Sequence, residues 1–265
     1  MTFKSKIWLG RVCFLLAIFL TWEGGVRSGI LPQLFFGSPS AVGIVIWDWL
    51  TSGKIYPHLA ITLLETMLAF ALGTASGFAV GLWLALRPLA AAIFDPFIKA
   101  VNSMPRLILA PIFAIWFGLG IWSKVALGVT IVFFIVFFNV YQGVREVSPV
   151  VLANTRMLGA SQRQLIRTVY IPSAMTWVFS SLHLSVGMAF VGAVIGEYLG
   201  SSSGVGYLIL QAESAFDTDT VIAGIFILTA FALLLDYGVA IAERWLLRWR
   251  PEPANADPYS AKENI

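Results

Sequence analysis

The side chains able to do metal or nucleophilic chemistry are few: two histidines, His58 and His183, far apart in the chain, and one cysteine, Cys13. A single cysteine excludes both a disulfide framework and a multi-thiolate metal site. The nearest approach to a catalytic cluster is Ser180, Ser181 and His183, whose spacing sends them to different faces of a helix, so an intramembrane enzyme is not expected. No G-x-x-x-x-G-K-[ST] phosphate loop, no H-E-x-x-H and no paired intramembrane acids occur. Any ATP hydrolysis that drives this chain is therefore expected on another polypeptide, and no cofactor or metal is expected here.

The elements that carry these residues follow from composition. Hydrophobic residues make up 58% of the 265 and charged ones only 12%, about half the usual soluble share, which excludes a soluble enzyme. A helix rises 1.5 Å per residue and the hydrocarbon layer is about 30 Å thick, so about 20 apolar residues cross it. Six stretches qualify: Ile7 to Trp22; His58 to Leu86; Leu107 to Leu119, short enough to borrow from Ile98 to Ser103; Ser123 to Gln142; Met175 to Leu199; and Val221 to Leu247. With the N-terminus inside, every Lys and Arg of the 17 except Arg27, Lys54 and Lys124 falls on the cytoplasmic side, Arg248, Arg250 and Lys262 included. Both termini are thus expected in the cytoplasm. A cleaved leader is disfavoured, because Trp22-Glu23 sits where small residues would be needed. Membrane lipid is the expected surroundings, and no nucleic acid is expected as a partner.

Ser38-Pro39 reads as a helix start, the hydroxyl capping free amides and the proline filling a position that needs no donor. Val42, Val45, Ile46 and Trp49 follow at helical spacing and Gly53 stops the run, giving an amphipathic helix at the outer membrane surface. Gly73, Gly77 and Gly81 form a small-residue stripe for close helix packing. Glu65 must face protein or water, since a carboxylate in lipid is costly. Asn139, His183, Ser185 and Gly192 are candidates to line a pore, with helix-to-helix hydrogen bonding as the alternative for the polar three. Asp236 is expected to pair with a neighbouring helix or reach the inner interface.

The loop from Arg145 to Pro172 is too patterned for a mere connector. Val150, Val151, Leu152, Met157 and Leu158 interleave with Asn154, Thr155 and Arg156 as a short helix, Gly159 allows a sharp exit, and Ser161 caps a second helix, Gln162 to Tyr170, expected to end before Ile171-Pro172. The run Ala153 to Ser161, followed by Val169-Tyr170-Ile171-Pro172, resembles the E-A-A-x3-G-x9-I-x-L-P loop of binding-protein-dependent ABC importer permeases. Ala153-Asn154-Thr155 stands where that family has Glu-Ala-Ala. Ser52-Gly53 with Thr62, Met104-Pro105-Arg106, Trp116-Phe117-Gly118-Leu119-Gly120 with Ser123-Lys124, and Gly196-Glu197 with Gly204-Val205-Gly206-Tyr207 are similar to the nitrate, sulfonate, taurine and thiamine-precursor branch. The likeness covers about residues 31 to 247.

That resemblance implies an all-α polytopic membrane protein with the type I ABC importer permease fold, divided into a first span and outer segment (1–56), a permease core (57–247) and a disordered cytoplasmic tail (248–265). It implies a second permease copy or paralogue, a cytoplasmic ABC ATPase dimer, and an extracytoplasmic substrate-binding protein that delivers a small anionic or heterocyclic solute. Ala153, Asn154, Thr155, Arg156, Leu158, Gly159, Ala160, Ser161 and Pro172 would then form the ATPase-coupling loop. Ser181, Ser185, Gly192 and Gly196 would face the second copy. The outer loop would hold a pliable gate at Gly200, Gly204 and Gly206, with Glu197, Glu213, Asp217 and Asp219 steering the binding protein. Its helix, Tyr207 to Ala215, would turn Leu208 and Ala212 to the membrane, leaving Gln211 and Glu213 to that partner. An ion-coupled secondary transporter is the rival; it would need paired intramembrane charges and broken-helix repeats.

Overall fold

The structure, a computed structural model, describes residues 3–246, and among these every regular element is a helix. The tail at 248–265, with Arg248, Arg250 and Lys262, lies outside the described residues. In chain order the elements are α1 (Phe3–Arg27), α2 (Gln33–Phe36), α3 (Pro39–Thr51), α4 (Ile55–Ala85), α5 (Pro88–Asn102), a 3-10 turn (Arg106–Leu109), α6 (Ala110–Phe117), α7 (Ile121–Arg145), α8 (Pro149–Met157), α9 (Gln162–Leu165), a π turn (Ile166–Tyr170), α10 (Ile171–Ser180), α11 (Leu182–Leu199), α12 (Val205–Ser214) and α13 (Thr218–Leu246).

Five helices, α1, α4, α7, α11 and α13, are long and apolar enough to cross a membrane. The third expected span is instead a broken one: α5 and the segment Arg106–Phe117 meet at 83°. Pro105 explains the break, since it can donate no hydrogen bond and pushes Met104 away from helical geometry. The fifth expected span is also interrupted, at Ser181. Its hydroxyl donates to Val178 O (2.9 Å) and its amide reaches both Val178 O and Trp177 O, so a tight turn competes with the helical ladder. Conversely, the helix expected to stop before Ile171-Pro172 runs on. A π turn precedes it, and Pro172 falls at the start of α10, where a missing donor costs nothing.

The core forms where α4, α7 and α11 pack, with Ala69, Val132, Val136, Val140 and Ala189 all buried. Lipid tails are as apolar as these side chains, so close contact rather than exclusion from water must hold the helices together. The glycine stripe of α4 provides it. A Cβ added at Gly77 would lie 2.6 Å from Phe133 O, and one at Gly81 2.9 Å from Phe137 O. Where α11 joins this contact, a Cβ at Gly192 would lie 2.7 Å from Gly128 Cα, and Gly128 itself abuts Ala69 of α4. Gly77→Val is expected to lower unfolding free energy by about 1–3 kcal/mol, the usual cost of overpacking. Thermal unfolding of the purified chain in detergent measures this; an unchanged midpoint would mean the two backbones are not in contact.

Around this core, α1 is peripheral: none of its apolar window is buried within the chain. The start of α3 is as expected, with Ser38 Oγ accepting from Ala41 N (3.3 Å), Pro39 in the first turn and Gly53 at φ 76°. Its outer face differs. Val42 and Trp49 are buried, while the far side mixes the exposed polar residues Ser40, Asp48 and Thr51 with Ile44 and Trp47, which are about 70% exposed, so the polar face is less complete than expected. Leu208 and Ala212 of α12 also depart from expectation. Both are buried in the protein, Leu208 in a cluster with Trp49, Ile55 and Ile227, and do not face the membrane.

Candidate functional site

Two features stand out, one exposed and one buried. The exposed one is the arm built on α8, which has no buried residue. Met157 and Leu158 at its tip are 85% and 88% exposed. Gly159, at φ 82°, ends it: Gly159 N bonds Arg156 O (2.9 Å) and Ala160 N bonds Thr155 O (3.2 Å), the paired closure of a Schellman motif. Ser161 Oγ then accepts from Gln164 N (3.4 Å) while Gln164 Oε1 accepts from Ser161 N (2.7 Å), a capping box that starts α9. Leu165 is buried and roots the arm, and Ser173 Oγ donates to Gly143 O (2.8 Å), tying α10 to α7. Ala153, Asn154, Thr155, Arg156, Leu158, Gly159, Ala160 and Ser161 therefore form one continuous arm, with Pro172 at its base. The arm ends in two bare apolar side chains, with Arg156, Arg163 and Arg167 exposed along it.

The buried feature was not legible in the sequence. Glu65 of α4, Lys124 of α7 and Glu197 of α11 meet at the end of the bundle where α7 begins, each 1% exposed or less. Thr62 Oγ1 donates to Glu197 Oε1 (2.6 Å) and Gly206 N to Glu197 Oε2 (2.8 Å). Glu65, whose Oε2 has no hydrogen-bond partner, lies close to both Glu197 and Lys124. Lys124 Nζ donates to Gly120 O (2.8 Å) and also to Leu119 O, so the Gly118-Leu119-Gly120 turn is pinned to the cluster. Gly204 N donates to His58 Nδ1 (3.1 Å), which brings the start of α12 onto α4.

This arrangement corrects several expectations. Two intramembrane acids do come together, and Lys124, counted among the outward bases, is buried beside them. Glu197 is not a contact for an outer partner, because burial hides it completely. Gly204 and Gly206 are not a pliable gate: at Gly204, φ 103°, a side chain would run into the Glu197 carboxylate, and at Gly206 a Cβ would lie 2.5 Å from Val194 O. They are glycines because the carboxylate leaves no room. Asp219 is also engaged, accepting from Ser38 N (2.7 Å). Glu213 and Asp217 alone stay exposed as expected, although Glu213 accepts from Tyr198 OH, and Asp217 caps α13 through Thr220 N (3.1 Å). The one hint in the sequence was an acid inside an apolar span, which demands a partner without naming it.

The four pore-lining candidates do not come together. Ser185 is buried and Gly192 packs on Gly128, so that stripe of α11 serves packing inside one subunit and is not free to face a second copy. Gly196 likewise abuts Lys124. His183, half-buried, takes the helix-to-helix alternative: its Nδ1 is 3.1 Å from Glu243 Oε2 and its Nε2 3.9 Å from Asp236 Oδ1, both on α13. Asn139 Nδ2 donates to Ile135 O (2.8 Å) within its own helix.

Residues 77–248 match the model of a family described as binding-protein-dependent transport system inner membrane component. The chain belongs to that family. A Bacillus subtilis (strain 168) permease named for aliphatic sulfonates, SsuC, is 31% identical over 247 residues, 93% of this chain and 90% of its own. The formylaminopyrimidine transport permease protein ThiX of Halalkalibacterium halodurans is 32% identical across 89% of this chain and 94% of its own. The taurine transport system permease protein TauC of Escherichia coli (strain K12) is 31% identical across 89% and 88%. Among solved structures, the inward-facing MetNI methionine ABC transporter superposes with a TM-score of 0.57 at 18% identity, covering 76% of this chain and 96% of that one. The fold is thus that of an ABC importer permease and not that of an ion-coupled carrier. This permease is a multi-pass inner-membrane protein, and its family implies an ATPase and a substrate-binding protein as partners.

Proposed function

We propose that this permease subunit couples to its ATPase through the arm from Ala153 to Ser161, Leu158 and Met157 entering a cleft on the nucleotide-binding partner. The observation that carries this reading is the arm itself, rigidly closed at both ends and apolar at its tip. Both termini lie in the cytoplasm, as the distribution of Lys and Arg favours, and residues 57–247 form the transport unit. Two permease copies, identical or paralogous, enclose the pore. Their shared face is not the Ser185 and Gly192 stripe, which α7 occupies. ATP binding would draw the two arms together and open the pore outward, and the binding protein would dock where Glu213 and Asp217 remain exposed. The solute is a small sulfonate or a pyrimidine, the chemistries named for the relatives, carried inward.

Gly159→Val tests the coupling. No atom lies within 4 Å of a Cβ built at Gly159, so the change adds no clash, but φ 82° strains a β-branched residue by about 1–2 kcal/mol and reshapes the exit. In proteoliposomes holding the complete transporter and its binding protein, ATP-driven taurine or aminopyrimidine uptake should be lost, and the ATPase should no longer co-purify. Retention of both would place the coupling elsewhere.

A further inference from the structure

We infer that Arg106, at the break between α5 and α6, takes the anionic group of the solute halfway across the membrane. The assignment rests on the reading above that a small solute is carried inward, and it narrows that solute to an oxoanion such as a sulfonate.

The depth follows from Phe134. The guanidinium carbon of Arg106 lies over that ring, 4.9 Å from its centre. Phe134 is the 14th of the 25 residues of α7, about 20 Å from the start of the helix and about 17 Å from its end at 1.5 Å per residue. A hydrocarbon layer about 30 Å thick therefore encloses the guanidinium. Arg106, counted among the cytoplasmic bases, stands instead at mid-depth.

Its surroundings leave the charge unanswered. Nη2 donates to the side-chain oxygen of Asn102 and reaches Asn102 O (3.5 Å), both neutral acceptors. Nε is buried with no hydrogen-bond partner, and Nη1 makes no hydrogen bond among the described residues. No ion pair of Arg106 occurs among the described residues either, and Asp95, on the same broken span, is taken by Lys99 (2.7 Å). Lys124, by contrast, has Glu65 and Glu197 beside it.

A bare cation at this depth is costly against lipid, so its open side faces water or the solute path. The break provides that opening: Asn102, Ser103 and Met104, just before Arg106, are exposed, and Arg106 itself is half-buried. A guanidinium carries its five N–H groups in one plane, so one lying over an aromatic ring keeps an edge free for a fork of hydrogen bonds to an oxoanion. The side-chain nitrogen of Asn102, unbonded among the described residues, adds a neutral donor beside it. An uncharged heterocycle would leave the guanidinium unpaired, whereas a sulfonate both neutralises it and fills the fork.

Proteoliposomes holding the complete transporter and its binding protein test this through ATP-driven taurine uptake. Arg106→Gln should cut uptake at least about tenfold, the usual loss for one charge-assisted contact, while the ATPase still co-purifies. Arg106→Lys keeps the charge without the fork and should recover part of the rate. Undiminished uptake by Arg106→Gln, or no recovery by Arg106→Lys, would overturn the inference and leave the solute and coupling readings standing. A wild type that moves an aminopyrimidine but no sulfonate would overturn it too, and one that moves neither would bring down the solute reading with it. Labelling gives a measure independent of uptake. In nanodiscs, with Cys13→Ser removing the one native cysteine, Arg106→Cys should react with 2-sulfonatoethyl methanethiosulfonate, a water-soluble sulfonate. Reaction with a lipid-soluble maleimide alone, or with neither reagent, would put the side chain against lipid or sealed in protein, and would overturn the inference.

Discussion

Glu197→Ala is expected to destabilise the permease by about 3–5 kcal/mol, the usual cost of removing one member of a buried charge network and leaving the others uncompensated. Lys124 would stay buried beside a single acid, Gly206 N would lose its acceptor, and Thr62 Oγ1 would be left with His58 O alone (3.0 Å). Because the Gly118-Leu119-Gly120 turn and the start of α12 are held by the same cluster, the ends of α4, α7, α11 and α12 that meet there should loosen together. Glu197→Gln keeps an acceptor for Thr62 and should cost less. Thermal unfolding of the purified transporter, with the amount of permease held in membranes as a second measure, distinguishes the two substitutions. Uptake should fall in proportion to folded protein, with the half-saturating solute concentration unchanged. An alanine variant that unfolds with the wild type would mean the cluster is not structural.

The second large effect belongs to the arm. Leu158→Asp and Met157→Asp should leave the subunit folded, because both side chains are almost wholly in solvent and such surface changes usually shift stability by less than about 0.5 kcal/mol. Binding of the ATPase should nevertheless weaken by about 2 kcal/mol or more for each, since apolar anchors of an interface commonly carry that much, which is about 30-fold in Kd. Titration of detergent-solubilised permease with the ATPase reads this directly, and ATP-driven uptake should fall with it. Normal unfolding together with undiminished ATPase affinity would show that the tip is not the contact.

The two variants separate the two features of the molecule. Glu197→Ala acts on folding at one end of the bundle, and Leu158→Asp acts on partner binding at the far end of the chain's long loop. Their effects should be additive, because the cluster sits where α7 begins and the arm follows where α7 ends, and distant, independent sites usually combine without coupling.

What could be read from the sequence depended on rules that act within a few residues. The spans follow from hydropathy because a backbone in hydrocarbon must satisfy its own hydrogen bonds, which a helix does locally. Ser38-Pro39, Gly53, Gly159 and Ser161 with Gln164 were legible for the same reason: each cap or exit is completed by neighbours in the chain. The resemblance of the loop from Ala153 to Pro172 pointed to the family that the comparisons show. The helix breaks at Pro105 and Ser181 were less so, since an apolar run hides a turn. Tertiary structure alone decided which faces meet. In a membrane helix both faces are apolar, so a stripe of small residues looks the same whether it packs inside a subunit or against another copy, and Gly192 proved to belong to the first kind. Glu65, Lys124 and Glu197 lie on three different helices, and only the parallel docking of α4 on α7, with α11 running back across them, brings these three ionisable side chains together in the buried interior.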